Sequence, residues 1–172
     1  MMDDESEHTK EVYARFGLAV YFAQVLEHGL VNALVILDLI PSRRHLARSR
    51  DEWGITVDAF MDRHFETTMG RLLNAFREVT AVPADVDGLL QDALERRNWL
   101  AHDFFRERAV EFLSCTGREQ MLQEVDECRA RFEAADKRLE AIVAPLRREA
   151  SITDTILEAE YQFLMTGRRT PS

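Results

Sequence analysis

The stretch Arg96-Arg97-Asn98-Trp99-Leu100-Ala101-His102-Asp103-Phe104-Phe105 gathers residue types from which a site for an anion and a proton can be built. Arginine offers a planar fork of donors that matches an anionic group in two bonds at once. Histidine titrates near neutrality, so it can take up or release a proton there. Nowhere else in the chain do an arginine, a carboxamide and a histidine fall within one or two helical turns, bracketed by aromatics. Asn98 and His102 are four apart and share a helix face. Arg97 lies about 140° of helical rotation from His102, which its long side chain can span. The same residues admit a purely structural role. Arg97 could pair with a buried acid such as Glu27 or Asp103, and Asn98 and His102 could hold helices together through hydrogen bonds.

Other chemistries find less support. The Glu-x-x-His pattern of di-iron bundles occurs only as Glu5 to His8, at the N-terminal end. The five histidines show no ligand spacing of the H-E-x-x-H kind, so no metal and no cofactor is expected. Cys115 and Cys128 are not in a metal-ligand pattern and read as two free, reduced thiols of a cytoplasmic protein. No phosphate-cradling glycine loop of the Walker or dinucleotide type is present. A net charge of −9 argues against non-specific nucleic-acid binding through a broad basic surface, though not against a small basic cleft. Basic residues are nearly all arginine, 20 against 2 lysines, a bias that base composition of the genome produces without any function. The acidic start, Met1 to Glu7, is the opposite of a signal peptide. The apolar run from Gly17 to Ile40 is broken by Gln24, Glu27, His28, Asn32 and Asp38, so it reads as a buried helix and no membrane span is expected.

The elements that must position the motif are all helical. The 172 residues contain few Gly and Pro and are rich in Leu, Ala, Glu and Arg, which favours one all-α domain over residues 1–172. A first long helix carries the seam Val12, Phe16, Ala19, Ala23, Leu26, Leu30, Ala33, Leu37, and Pro41 is expected to end it. Val20, Phe22, Val31 and Val35 widen its apolar surface beyond one stripe, so it is central or also meets a partner. Gly17 and Gly29 are candidate points of close helix approach. Residues 42–52 read as a basic loop with Arg43, Arg44, His45, Arg48 and Arg50, either solvated or contacting phosphate. A second helix is expected from Ile55 or Thr56 to Val79 along Met61, Phe65, Thr68, Leu72, Ala75 and Val79. A third, capped by Asp85, carries Val86, Leu90, Ala93, Arg97, Leu100 and Phe104 and ends near Arg106 to Arg108. Thr116-x-x-Glu119 reads as the capping box of a fourth long helix along Met121, Val125, Cys128, Phe132, Ala135, Leu139, Ile142 and Leu146, with Pro145 kinking its end. A fifth, shorter helix follows from Ser151, and residues 1–8 and 167–172 read as frayed ends. The result is an up-and-down bundle of about five helices, two of them long, with the first and fourth as antiparallel neighbours.

Arg97, Asn98 and His102 resemble the signature of the HEPN superfamily: an arginine, a polar residue directly after it, and a histidine four to six residues on. Arg96 also fits by spacing, but Arg97 follows it, so Arg97 is the better match. The resemblance implies a small helical bundle, and in many members metal-independent ribonuclease chemistry in a cleft shared by two copies. On that reading His102 is a general base or acid. Arg97 binds phosphate and stabilises developing charge, and Asn98 orients the imidazole or the substrate. Arg106, Arg43 and Arg44 would add phosphate contacts. Homodimerisation is expected, since the first helix has apolar surface to spare. The alternative is a non-catalytic helical interaction or scaffold module with a protein partner, in a defence, toxin–antitoxin or stress system.

Overall fold

A computed structural model describes residues 2–149. The expected fifth helix, with Ile152, Ile156, Ala159 and Phe163, lies outside them. The chain is an all-α bundle with no strand among the described residues. Helix α1 (Met2–Leu34) passes through a π turn (Val35–Leu39) into α2 (Ile40–Arg43) and a 3₁₀ turn (Arg44–Leu46). Then come α3 (Arg50–Phe65), α4 (Met69–Val79), α5 (Ala84–His102), the single turn α6 (Phe104–Glu107), a 3₁₀ turn (Glu111–Leu113) and the long α7 (Cys115–Glu149).

The heptad seams form the core. Val12, Ala19, Ala23, Leu26 and Leu30 of α1 meet Met121, Val125, Cys128, Phe132, Ala135 and Leu139 of α7, all buried. Helix α1 starts at Met2 rather than after a frayed segment, and Lys10 pairs with Glu7 at 2.7 Å. Pro41 does not end the helical run. Proline has no N–H and its ring crowds the carbonyl four residues back, and here the turn before it widens, the Ile40 N–H reaching the Val35 carbonyl. The extra residue shifts the register. Regular spacing from Leu30 and Leu34 leads to Leu37 or Asp38, whereas the π turn buries Leu39 and leaves Asp38 exposed. Among the described residues one helical stretch, Ser6–Leu46, is long and apolar enough to cross a membrane. Its seam is the core of this bundle.

The expected second helix is two helices. The Thr67 hydroxyl donates to the His64 carbonyl at 2.7 Å and ends α3. Thr68, read from sequence as a seam position, is the N-cap of α4 and accepts from the Arg71 N–H. Helix α3 also starts earlier than expected, at Arg50 behind the cap Ser49, which accepts from the Glu52 N–H at 3.1 Å. Much of the expected basic loop is therefore helical. Asp85 lies inside the first turn of α5 and pairs with Arg138, the cap position being Pro83. The cap of α7 is Ser114, whose hydroxyl accepts from the Gly117 N–H at 3.1 Å, and not Thr116.

The break at residues 66–68 inverts the topology of the last helix. Helix α5 is antiparallel to α1: Arg97 meets Glu27 and Phe104 stacks on Phe16. It is antiparallel to α7 as well, through Asp92 with Arg131 and Arg108 with Glu124. So α1 and α7 run parallel, His8 beside Cys115, Arg15 on Asp126, Gly29 against Asp136 and Leu139. The expected antiparallel arrangement is wrong because one extra reversal, from α3 to α4, separates them. Gly29 is a close approach, where a Cβ would lie 3.0 Å from Asp136 Oδ1; Gly17 faces open space.

Candidate functional site

The motif occupies the last two turns of α5. An aromatic cluster fixes it against α1. Phe16 stacks on Phe104 at 5.6 Å and meets Phe105 at 4.9 Å; Tyr13 packs on Phe105 and Phe112. Trp99 meets Phe104 edge-on at 5.1 Å, a favoured aromatic geometry. A one-residue break at Asp103 (φ −122°, ψ −28°) separates α5 from α6. Leu100 and Phe104 are buried on one side of this joint, and Asn98, Ala101 and His102 are exposed on the other.

Arg97 lies on the seam, as its spacing suggests, but stays one-third exposed. Its Nε donates to Glu27 Oε1 at 2.8 Å, across to α1, and its Nη1 donates to Asn98 Oδ1 at 3.3 Å. Together with Val20, Ala23, Gln24 and Leu100, Arg97 and Glu27 line a small cleft of about 100 Å³ between α1 and α5. The structural role considered for Arg97 is therefore real: it ties two helices. For Asn98 and His102 that role fails. Asn98 bonds only its neighbour Arg97, and the His102 ring has no hydrogen bond or ion pair among the described residues.

The remaining arginines of α5 and α6 are also matched with acids. Arg96 pairs with Asp92 at 3.2 Å, and Arg106 donates to Asp103 at 2.5 Å. Arg108 holds Glu124 in two bonds of 2.8 Å while its guanidinium lies over the Trp99 ring. The bonds to Glu124 hold the Arg108 charge above its ordinary range. Trp99 Nε1 donates to Glu107 at 2.8 Å. Sequence reading missed this Trp99–Glu107–Arg108–Glu124 network, because nothing in local spacing places Glu124 of α7 beside α6.

Arg43 and Arg44 do not join the motif within one chain. They sit sixteen and seventeen residues beyond Glu27, roughly 24 Å along the helix at 1.5 Å per residue. Arg43 and Arg44 are exposed. Among the described residues no group of three or more His, Cys, Asp or Glu side chains could hold a metal ion. Cys115 is exposed beside His8, Sγ to Nδ1 3.4 Å, and Cys128 is buried, where desolvation raises its thiol. No family model matches the chain, and neither a curated protein nor a solved structure matches it.

Proposed function

We propose that this chain is a HEPN-like helical protein that cleaves RNA without a metal, as a homodimer in which Arg97, Asn98 and His102 of two copies share one seam. The observation that carries this reading is His102: an exposed histidine with no polar partner among the described residues, beside exposed Asn98, while Arg96 and Arg97 of α5, Arg106 of α6 and Arg108 just beyond it are all paired. A buried histidine kept for structure would be hydrogen-bonded, whereas exposed His102 ties no elements together. In the proposed reaction His102 takes the proton of a ribose 2′-hydroxyl. The 2′-oxygen bonds to phosphorus, the bond from phosphorus to the 5′-oxygen breaks, and that oxygen takes a proton back from the His102 imidazolium as it leaves. Arg97 stabilises charge on the phosphate oxygens. The dimer face we assign is the outer side of α1, where Phe16 to Leu26 carries no charged residue and Leu18 and Tyr21 are exposed. Its two unpaired cysteines suit the reducing cytoplasm.

The test is cleavage of single-stranded RNA in the presence of EDTA by the wild type and by His102→Ala. General acid–base catalysis contributes about 10²–10⁴-fold, so the variant should lose at least about 100-fold while keeping its circular dichroism spectrum. Equal activity in the two proteins removes His102 from the mechanism.

A second reading is favoured by the paired arginines: a non-catalytic interaction module. Each guanidinium of α5 and α6 already holds a carboxylate of its own chain, so little free positive charge meets a phosphate. A wild type that dimerises but neither binds nor cleaves RNA fits this reading.

A further inference from the structure

Glu27 is an unusual neighbour for an anion-binding arginine. It comes from a helix 70 residues away in sequence, and its carboxylate takes the Nε–H of Arg97 at 2.8 Å. Asn98 takes an Nη1–H, which leaves Nη2 as the guanidinium nitrogen without a partner among the described residues. A phosphate bound in two parallel bonds needs two adjacent nitrogens of the fork. Both edges that include Nη1 or Nε are partly occupied by the chain itself. The pair forms one wall of the cleft whose floor is Ala23 and Leu100, both buried, and the two side chains are 32% and 21% exposed.

We propose that Glu27 is a built-in competitor for the phosphate at Arg97, an autoinhibitory contact that an RNA backbone must displace. This rests on reading Arg97, Asn98 and His102 as an RNA-cleaving site. A partly exposed pair of this kind is weak enough to be exchanged, since such pairs contribute little to stability. When displaced, Glu27 keeps its charge beside the bound phosphate and repels it, so it opposes binding both before and after the exchange. Glutamine at the same position keeps an oxygen that accepts from Arg97 Nε and loses both effects.

The experiment measures binding of a fluorescent 2′-O-methyl oligonucleotide, which lacks the attacking hydroxyl, at low salt, together with cleavage of the matching RNA. The proteins are the full chain as wild type, Glu27→Gln, Arg97→Ala, the double variant Glu27→Gln/Arg97→Ala, and Asp126→Asn. The last removes one negative charge from the α1–α7 pair with Arg15 and controls for net charge. Glu27→Gln should bind roughly fivefold tighter, the factor that about 1 kcal/mol produces, Asp126→Asn less than about twofold. The gain should vanish when Arg97 is also removed. Unchanged or weaker binding by Glu27→Gln overturns the proposal, as does a gain that persists in the double variant. If Glu27→Gln tightens binding through Arg97 while no protein cleaves, the competitor role stands and the ribonuclease reading falls. If the wild type cleaves and Glu27→Gln binds no tighter, the ribonuclease reading stands and the competitor role falls.

Discussion

His102 and Arg97 are five residues apart on one helix, and their surroundings differ in kind. Arg97 works for the fold, tying α5 to α1 through Glu27. His102 makes no hydrogen bond or ion pair among the described residues, so its removal should leave the fold intact. Asp136 is the opposite case, a carboxylate placed where it costs stability. It lies half-buried against Gly29 and has no hydrogen bond or ion pair among the described residues. Burial, with Glu140 one turn on, raises its carboxyl above the ordinary aspartate range. The folded chain then binds this proton more tightly than the unfolded chain does. Stability is lost as pH rises from the ordinary aspartate range through the raised one. Asp136→Asn should therefore raise the thermal midpoint at neutral pH, with the gain shrinking towards zero near pH 3. Melting curves of both proteins across that range check this, and a gain that is the same at all pH values would place the effect in packing instead.

At the scale of elements, the helix contacts rank the glycines. At Gly29 α1 packs tightly on α7, and an added Cβ would meet Asp136 Oδ1 at 3.0 Å and Leu139 Cδ2 at 3.2 Å. Gly88 is exposed on α5 with open space around its Cβ position. Gly29→Ala should cost about 1–3 kcal/mol, as overpacking does. Gly88→Ala should add about 0.5–1 kcal/mol through helix propensity. Urea denaturation of the two variants tests both signs, and a stabilising Gly29→Ala would show that the α1–α7 contact yields at little cost. Periodicity located the seams but not the joints between them. Thr68 continues a 4, 3 spacing through Phe65, which places it on a core seam, yet it caps α4. The signals for the correct boundaries were partly present: Ser49-x-x-Glu52 is a capping pattern at the true start of α3.

At the scale of the molecule, a chain of net charge −9 keeps one helix face free of charge from Phe16 to Leu26. Tyr21 is 57% exposed there and Leu18 39%. In the proposed dimer this face is buried against a second copy. Tyr21→Glu should then halve the mass measured by light scattering while leaving the melting temperature of the protomer close to its original value, since surface changes usually fall within about 0.5 kcal/mol. A wild type that is monomeric at micromolar to millimolar concentration removes both the dimer and the composite site.

Local periodicity determined the all-α class, the core seams of α1 as far as Ala33, of α5, and of α7 as far as Leu139, and the placement of Arg97 on the α5 seam with Asn98 and His102 sharing a face; beyond these points Leu39 and Val143 are buried rather than Leu37, Ile142 and Leu146. These depend only on the 3.6-residue turn and on which side chains avoid water. Three outcomes lie outside what the 3.6-residue period contains. The hairpin at residues 66–68 adds a reversal and makes α1 and α7 parallel. The π turn before Pro41 buries Leu39 where the seam expects Leu37. Glu27, rather than any acid near the motif in sequence, holds Arg97. The first two are set by the Thr67 and Thr68 bonds and by Pro41, short-range signals that periodicity does not register. Only the tertiary structure, by packing α1 on α5, decides that Glu27 meets Arg97, because the two residues lie 70 apart in the chain.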